Sequence, residues 1–359
     1  MARAPRSVIK SMMSRALEFP RPTPPKPAEM IEVAAGIFWV RLELPFRLNH
    51  VNIYLIEEGD GFALVDTGID NEASREIWES LFKGPLRQRP LTRILATHCH
   101  PDHIGLAGWL SDRFDLNLLM SQTEYLVTLN IRLDPAALNS EPYVSFYHSH
   151  GLDDFHTELL LGRGLQYLRM VSDLPRTFSR VIAGETLNIG GRDFEILTGG
   201  GHSPEQVMLY CKTENLLLCA DQVLAKITPN ISVEAMDPEG DPLGIYLRSL
   251  GDLKQKLPEN ILILPGHNLP FIGLHTRVDE LTMHHHARCL AILEACRKAP
   301  HTVADLVRVV FGRVIDDPHQ MTFAFSEALA HANYMIRRGE LRIGKTISGV
   351  VLRADQLID

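Results

Sequence analysis

The chain has 359 residues, of which 45% are hydrophobic and 22% charged, and its formal net charge is -8. This composition is typical of a globular protein, the length allows one large domain or a large and a small one, and no apolar run reaches the roughly 20 residues of a membrane span. The acidic balance argues against a protein whose main task is to bind nucleic acid, because neutralising phosphates requires clustered Lys and Arg. The five cysteines lack C-x-x-C spacing, which favours reduced thiols and a cytoplasmic location.

The N-terminal half predicts an arm followed by strands. Residues 1–30 are basic and proline-rich and lack the apolar core of a secretory signal. The prolines favour a flexible or surface-docked N-terminal arm, with an organellar targeting segment as the alternative. Four strands are then predicted by the runs GIFWVRLEL, NIYLIEEG, GFALVDTG and RILATH. Asp70 opens a predicted helix after the third strand, and the fourth strand ends directly in the histidine-rich stretch ATHCHPDHIG.

The second half of the sequence again predicts strands and helices, after an inserted segment. Residues 134–180 contain mixed aromatics without a strand period, and they predict an inserted helical subregion. Strand-like runs return in ETLNIGG, FEILTGGGH and QVMLYCKTENLLLCADQV, and the strand ILILPGH follows a further helix. Two halves that each contain a sheet, with helices outside, predict an α+β fold built as a four-layer αββα sandwich. Three helices and a short ribbon predict a small winged-helix-like domain over 281–359, which leaves 31–280 for the larger, sheet-containing domain.

The stretch ATHCHPDHIG concentrates metal-ligand side chains just after a strand. Its motif is H-x-H-x-D-H, formed by His98, His100, Asp102 and His103. On a loop that leaves a strand, two histidines two positions apart can point to one side, and the next two side chains can turn toward a second point. Imidazole and carboxylate suit Zn, Fe or Mn, and the lack of a suitably placed thiolate argues against a structural zinc knuckle.

Three further predicted strands end in a ligand-type residue. His202 lies in TGGGHSPEQ, Asp221 in LLLCADQV and His267 in ILILPGHN. If these strands belong to one sandwich, their carboxyl ends share an edge, and the four ligand-bearing stretches meet there. The sequence therefore predicts a metal site at this edge.

The motifs THCHPDH, GGGHSPEQ, CADQ and LPGHN, together with the early strand FALVDTG, resemble the metallo-β-lactamase superfamily. The resemblance covers about residues 31–275 and implies two divalent ions, zinc in the first place, with iron or manganese as alternatives. It implies that His98, His100 and His202 hold one ion. It places Asp102, His103 and His267 on the second ion, with Asp221 bridging, and Asp66 outside the ligands as a residue that orients them. Aspartate at residue 221, where antibiotic-cleaving members have cysteine, favours the glyoxalase II-like branch.

The chemistry implied is hydrolysis of an ester-like carbonyl: a thioester, a lactone or an ester. Two ions can share a hydroxide and polarise a carbonyl, so no G-x-S-x-G nucleophile is needed, and none occurs here. Asp102 is the predicted residue that orients the hydroxide and accepts its proton. The aromatic and apolar insert predicts a small-molecule substrate with an acyl or apolar portion. The predicted substrate-binding residues are Tyr143, Phe146, Tyr147, Tyr167 and Met170.

Three other functions stay open at this stage. They are a ribonuclease that uses the same metals and the winged helix, an oxidoreductase in which the ligands hold iron, and a DNA-binding regulator that the acidic balance disfavours. The charges of the tail favour a solvated face, an interdomain contact or a homodimer contact over nucleic acid. Two further groups of histidines are not expected to be ligands. His148 and His150 are expected at the surface or in a lid, and the triplet 284–286 at the surface, with an adventitious metal site as the alternative. Cys99 is expected to pack as a spacer between two ligands.

Overall fold

The structure, a computed structural model, describes residues 16–347 and 349–354. The predicted N-terminal arm therefore lies partly outside the described residues. Its described part joins the body of the protein where Glu18 and Ile272 exchange two backbone hydrogen bonds. Within the described residues, no helix combines the length and the apolar character that crossing a membrane requires.

The first sheet has seven strands, which neighbour one another in chain order. They are β1 (Ile31–Ala34), β2 (Ile37–Glu43), β3 (His50–Glu58), β4 (Gly61–Val65), β5 (Leu91–Leu95), β6 (Leu118–Met120) and β7 (Phe178–Arg180). The strands β1 to β4 pair antiparallel, and β4 to β7 pair parallel. All five residues of β4 are buried, as expected for a strand covered on both faces.

The second sheet has six strands in the order β13, β12, β11, β10, β9, β8. They are β8 (Thr186–Ile189), β9 (Arg192–Gly199), β10 (Gln206–Cys211), β11 (Leu216–Ala220), β12 (Leu262–Pro265) and β13 (Phe271–Ile272). The β11–β12 pair is parallel and the other pairs are antiparallel. Gly190 and Gly191 join β8 to β9 with φ of 60° and 83°, a two-residue turn that favours glycine at both positions.

Eleven helices are described outside the sheets. They are α1 (Glu72–Lys83), α2 (Pro101–Ile104), α3 (Ala107–Phe114), α4 (Gln122–Leu133), α5 (Glu141–Ser149), α6 (Asp154–Leu161), α7 (Arg163–Leu168), α8 (Pro242–Lys256), α9 (Leu274–Lys298), α10 (Val303–Phe311) and α11 (Pro318–Arg337). The cap of α1 is Asn71, whose side chain accepts from the Ser74 N–H, rather than the expected Asp70. Asp70 instead pairs with Arg75.

Three apolar clusters separate the layers. Ile37 and Trp39 of the first sheet pack against Leu209 and Leu218 of the second, which forms the cluster between the sheets. A second cluster joins the outer face of the first sheet to α1, α3 and α4, and a third joins the outer face of the second sheet to α8 and the C-terminal helices. The predicted αββα sandwich is therefore confirmed, and burial between layers is its main source of stability.

The insert and the C-terminal segment both lie on the outside of the sandwich. The insert over 134–180 contains α5, α6 and α7 and ends in β7, a three-residue edge strand that the sequence does not predict. The C-terminal segment has the expected three helices and a ribbon, β14 (Arg342–Thr346) with β15 (Gly349–Arg353). Its first helix, α9, already begins at Leu274 and so runs across the expected boundary at residue 281. Helix α11 packs against α6, α8 and α9.

Candidate metal centre

Four strand ends bring seven ligand-type side chains to one edge of the sandwich. The loop after β5 carries His98 and His100 and continues into the short helix α2, which contains Asp102 and His103. His202 follows β9, Asp221 follows β11 and His267 follows β12. Groups of these residues have ligand atoms within 4.8 Å of one another, so the structure collects all seven residues in one place.

The turns that carry these ligands leave little room. A Cβ on Gly266 would lie 2.3 Å from Asp221 Oδ1 and 2.8 Å from His103 Cε1. A Cβ on Gly201, whose φ is 100°, would lie 2.5 Å from the backbone oxygen of Pro242. Only glycine therefore fits beside the ligands at these two positions.

One group consists of His98, His100 and His202. His98 Nε2 lies 3.0 Å from His100 Nδ1, and the rings of His100 and His202 meet edge to face at 4.5 Å between centroids. Burial, followed by the neighbouring histidines, lowers the pKa of His98 well below its usual value, and it lowers the pKa of His100 to about 3. His98 and His100 are therefore neutral at pH 7, which is the form that binds a metal.

A second group consists of Asp102, His103 and His267. Asp102 Oδ2 lies 3.3 Å from His267 Nε2 and 3.7 Å from His103 Nε2. Burial disfavours the charged form of each of these groups, but the attraction between the aspartate carboxylates and the protonated histidines outweighs this effect. The pKa of Asp102 is consequently lowered, and the Asp221 and Asp102 carboxylates raise the pKa of His267 to about 10.

Asp221 lies between the two groups. Its Oδ2 atom is 3.1 Å from His267 Nε2, 3.4 Å from His202 Nε2 and 3.6 Å from His103 Nε2. Burial would raise its pKa, yet His267 and His103 hold it well below the usual value, so the carboxylate stays ionised. One carboxylate oxygen thus faces nitrogens of both groups.

Three buried atoms at this edge have no hydrogen-bond partner: His103 Nε2, His202 Nε2 and Asp221 Oδ1. Buried polar atoms in native proteins are nearly always paired, because an unpaired one costs about 1–3 kcal/mol. These are also the donor types that divalent ions take from histidine and aspartate. The residues therefore fit a metal centre.

The outer nitrogens of the histidines are held by the surrounding backbone and side chains. His267 Nδ1 lies 2.7 Å from the His50 carbonyl oxygen, and His202 Nδ1 lies 2.8 Å from the Asn230 carbonyl oxygen. Each carbonyl can only accept, so Nδ1 carries a hydrogen and Nε2 is the nitrogen that would bind a metal in place of a proton. Asp66 makes the corresponding contact to His103 Nδ1.

Glu124 is a component that sequence reasoning missed. It is fully buried, and its carboxylate accepts from the Cys99 N–H at 2.9 Å, from Ser203 Oγ at 2.8 Å and from the Glu205 N–H at 2.6 Å. It therefore ties the loop of His98 to the loop of His202. Its sequence signal is a lone acidic residue in α4, which looks like any solvated helix position.

The five predicted substrate-binding residues are divided between two apolar clusters. Tyr167 and Met170 belong to the cluster of the first sheet, whereas Tyr143, Phe146 and Tyr147 belong to that of the second sheet and the C-terminal helices. The hydroxyl of Tyr167 donates to the Cys99 carbonyl at 2.6 Å, behind the ligand loop. The hydroxyl of Tyr147 accepts from the Ala235 N–H at 3.4 Å.

The histidines of the two further groups, His148 with His150 and 284–286, differ in how deeply they are buried. His148 is partly exposed and pairs with Asp154 at 3.2 Å, and His150 is partly buried. In the triplet 284–286, however, His285 is fully buried, so the expected surface position is wrong for this residue. Helix α11 covers the face of α9 to which His285 points. Cys99 is buried, and burial raises the pKa of its thiol.

Comparison with known proteins agrees with this geometry. Residues 47–267 match the model of the metallo-beta-lactamase superfamily, and residues 289–352 match that of the metallo-beta-lactamase-like C-terminal domain. A beta-lactamase domain protein from Burkholderia ambifaria is 35% identical, with a TM-score of 0.86 over 94% of this chain and 98% of that one. A metallo-beta-lactamase family protein from Thermus thermophilus is 26% identical, with a TM-score of 0.75 over 90% of this chain and all of that one (100%).

Among curated sequences, the probable metallo-hydrolase YqjP of Bacillus subtilis is 22% identical over 303 residues, which cover 82% of this chain and 91% of that protein. The probable metallo-hydrolase YqgX of the same organism is 25% identical over 243 residues, covering 67% of this chain and 95% of the relative. The superfamily match spans more than half of the chain and contains all seven ligand-type residues. The chain belongs to the metallo-beta-lactamase superfamily.

Proposed function

We propose that the chain is a dinuclear metal-dependent hydrolase that cleaves a carbonyl ester-type bond, in a thioester, a lactone or an ester. The superfamily and the relatives named metallo-hydrolases make the chain a metal-dependent hydrolase. What we propose beyond this is the presence of two ions and the cleavage of a carbonyl ester-type bond.

The observation that carries the proposal is the position of Asp221 between two groups of histidines. His98, His100 and His202 would hold one ion, and Asp102, His103 and His267 would hold the other. The Asp221 carboxylate would serve both, because its Oδ2 faces nitrogens of each group and its Oδ1 is buried without a partner. A carboxylate that contacts two groups at once is the arrangement that a dinuclear site needs.

When bound, two divalent ions supply a water-derived nucleophile at neutral pH and a Lewis acid for the carbonyl oxygen. Zinc is the proposed metal, and iron or manganese suits the same donors. The protein would contribute a proton acceptor at Asp102. Its side chain is 19% exposed, and its lowered pKa keeps the carboxylate ionised at pH 7, the form that can orient a water by accepting its hydrogen.

The proposed substrate is a small molecule with an acyl or apolar portion. The insert that lies outside the sandwich exposes apolar side chains, with Phe155 at 55% and Leu165 at 53%, as a surface that binds apolar groups would. We propose a cytoplasmic location because the cysteines are free.

The test is a substrate panel on one preparation whose metal content has been measured. Thioesters, lactones, alkyl esters, phosphodiesters and single-stranded RNA are each assayed with the unaltered protein and with Asp221→Ala. We expect turnover of at least one carbonyl ester class, lost in the variant. Cleavage of RNA without ester cleavage would instead support a ribonuclease, and iron with redox turnover would support an oxidoreductase.

A further inference from the structure

A second cluster of ligand-type side chains lies where α9 meets α11. It consists of His285 on α9 and of Glu327 and His331 on α11, and we refer to these three residues as the helix cluster. All three are buried, with His285 and His331 fully inaccessible to solvent. One ligand atom of each lies within 4.8 Å of the others.

The two histidines face each other with defined nitrogens. His331 Nδ1 lies 2.7 Å from the Glu327 carbonyl oxygen, which can only accept, so this nitrogen carries the hydrogen. Its Nε2 atom therefore directs a lone pair at His285 Nδ1, which is 3.1 Å away. The nitrogens of His98 and His100 at the sheet edge are separated by 3.0 Å, almost the same distance. Two nitrogens bound to one ion at about 2.1 Å each lie at such separations.

A hydrogen bond between the histidines leaves the cluster incompletely satisfied. His285 Nε2 is buried and has no hydrogen-bond partner. Burial, together with the neighbouring His331, lowers the pKa of His285 to about 2, so the ring is neutral at pH 7 and available as a ligand. Because Nδ1 is the nitrogen that faces His331, Nε2 points away from the proposed ion and would pair with a bound water.

Glu327 adds an anionic donor whose position is fixed. Arg288 on α9 donates to Glu327 Oε1 and holds the carboxylate against the histidines. Carboxylates that ligate metals are commonly oriented by such a second contact. The positive charge of Arg288 offsets the negative charge of Glu327, so the cluster as a whole would not neutralise the charge of a bound ion. Catalytic zinc sites with three neutral histidines have the same charge balance.

We propose that the helix cluster is a further metal site, separate from the sheet-edge centre, which takes a late first-row divalent cation such as Zn²⁺. The ion joins α9 to α11 and thereby fixes the C-terminal helices. Two histidines and a carboxylate are a known zinc ligand set, and a water completes four-coordination. His285 also meets the ring of Tyr246 on α8 edge to face at 5.7 Å, so the site lies where three helices meet.

In the first test, the unaltered full-length protein is crystallised after loading with one Zn²⁺ for each proposed ion, two at the sheet edge and one in the helix cluster. Anomalous scattering at the zinc edge is expected to show density between His285 and His331 in addition to the sheet-edge centre. Density at the sheet edge alone would overturn the proposal. This measurement needs no variant and does not depend on which bond the enzyme cleaves.

The second test compares His331→Gln with the matched control His286→Gln. His286 lies on the exposed side of α9, so its replacement leaves the packing of the helix cluster unchanged. After reconstitution with Zn²⁺ and gel filtration, we expect His331→Gln to bind one ion fewer per chain than the unaltered protein and His286→Gln to bind the same number. Equal metal content in all three proteins would contradict the site. Should His331→Gln fail to fold, the anomalous scattering of the unaltered protein decides.

Discussion

Asp66 Oδ2 lies 2.7 Å from His103 Nδ1, and both side chains are buried beside the metal centre. The same carboxylate accepts from the N–H of Thr97 at 2.8 Å and from its hydroxyl at 2.9 Å, so its orientation is fixed. An ionised carboxylate can only accept, so His103 Nδ1 carries a hydrogen, and Nε2, 3.6 Å from Asp221 Oδ2, is the nitrogen that would bind a metal.

Asp66→Asn should weaken metal binding at the His103 side. The amide N–H₂ can donate to His103 Nδ1, which moves the ring hydrogen to Nε2 and blocks the ligand lone pair. We expect metal affinity or turnover to fall by about 10–100-fold, measured by metal titration and steady-state kinetics. Asp70→Asn, a change in an aspartate that pairs with Arg75 instead, is the control and should leave both unchanged. Full activity of Asp66→Asn would show that Asp66 does not orient the ligand.

Asp221→Ala and His103→Ala should each abolish hydrolysis while the fold persists. Asp221 contacts nitrogens of both groups, and His103 contributes one of the unpaired nitrogens, so either change removes a donor that the chemistry requires. Turnover should fall by at least about 100-fold, with an unchanged far-ultraviolet circular dichroism spectrum. His148→Ala, on the insert surface, serves as the control. Wild-type turnover of either centre variant at full metal occupancy would contradict the two-metal proposal.

The sandwich and the positions of the seven ligand-type residues can be predicted from the sequence because both depend on local sequence patterns. Strand runs are short and regular, and each ligand follows a strand end, so parallel and antiparallel pairing alone brings them to one edge. The strand β7 escapes prediction because three residues carry too little pattern, and its place is set by the neighbouring β6.

Residues whose role depends on contacts with distant parts of the chain could not be identified from local sequence patterns. Glu124 is recognisable only once Cys99 and Ser203 lie beside it. Sequence reasoning places His285 at the surface because successive helix residues face different sides, but the side that it occupies is covered by α11. Both depend on tertiary packing between segments far apart in the chain, for which a single sequence carries no periodic signal.

Tyr167→Phe should separate a substrate contact from a supporting role. The Tyr167 hydroxyl donates to the Cys99 carbonyl between two ligands, and its ring is buried. Loss of this hydrogen bond should lower the free energy of unfolding by about 1 kcal/mol and reduce kcat more than it changes KM. Tyr143→Phe, in a partly buried residue of the other apolar cluster, is the comparison. A rise in KM at unchanged stability would instead support the predicted substrate contact of Tyr167.

Gln222→Leu should destabilise the turn that carries Asp221. The Gln222 side chain is fully buried, accepts from Gln206 Nε2 at 3.2 Å and donates to Ser249 Oγ at 3.1 Å. Gln206 in turn accepts from the Asp221 N–H at 3.2 Å, so the two glutamines connect the ligand turn to β10 and α8. Leucine is similar in size but leaves these polar groups unpaired in a buried position, which costs about 1–3 kcal/mol.

The expected result of Gln222→Leu is a lower denaturation midpoint in metal-depleted protein, together with weaker metal retention, because Asp221 is less well held. Chemical denaturation followed by circular dichroism gives the first quantity, and metal content after dialysis against a chelator gives the second. Gln88→Leu makes the same change in side-chain chemistry at an exposed position and should alter neither. If Gln222→Leu lowers the midpoint but retains metal as the unaltered protein does, the glutamines stabilise the fold without positioning Asp221.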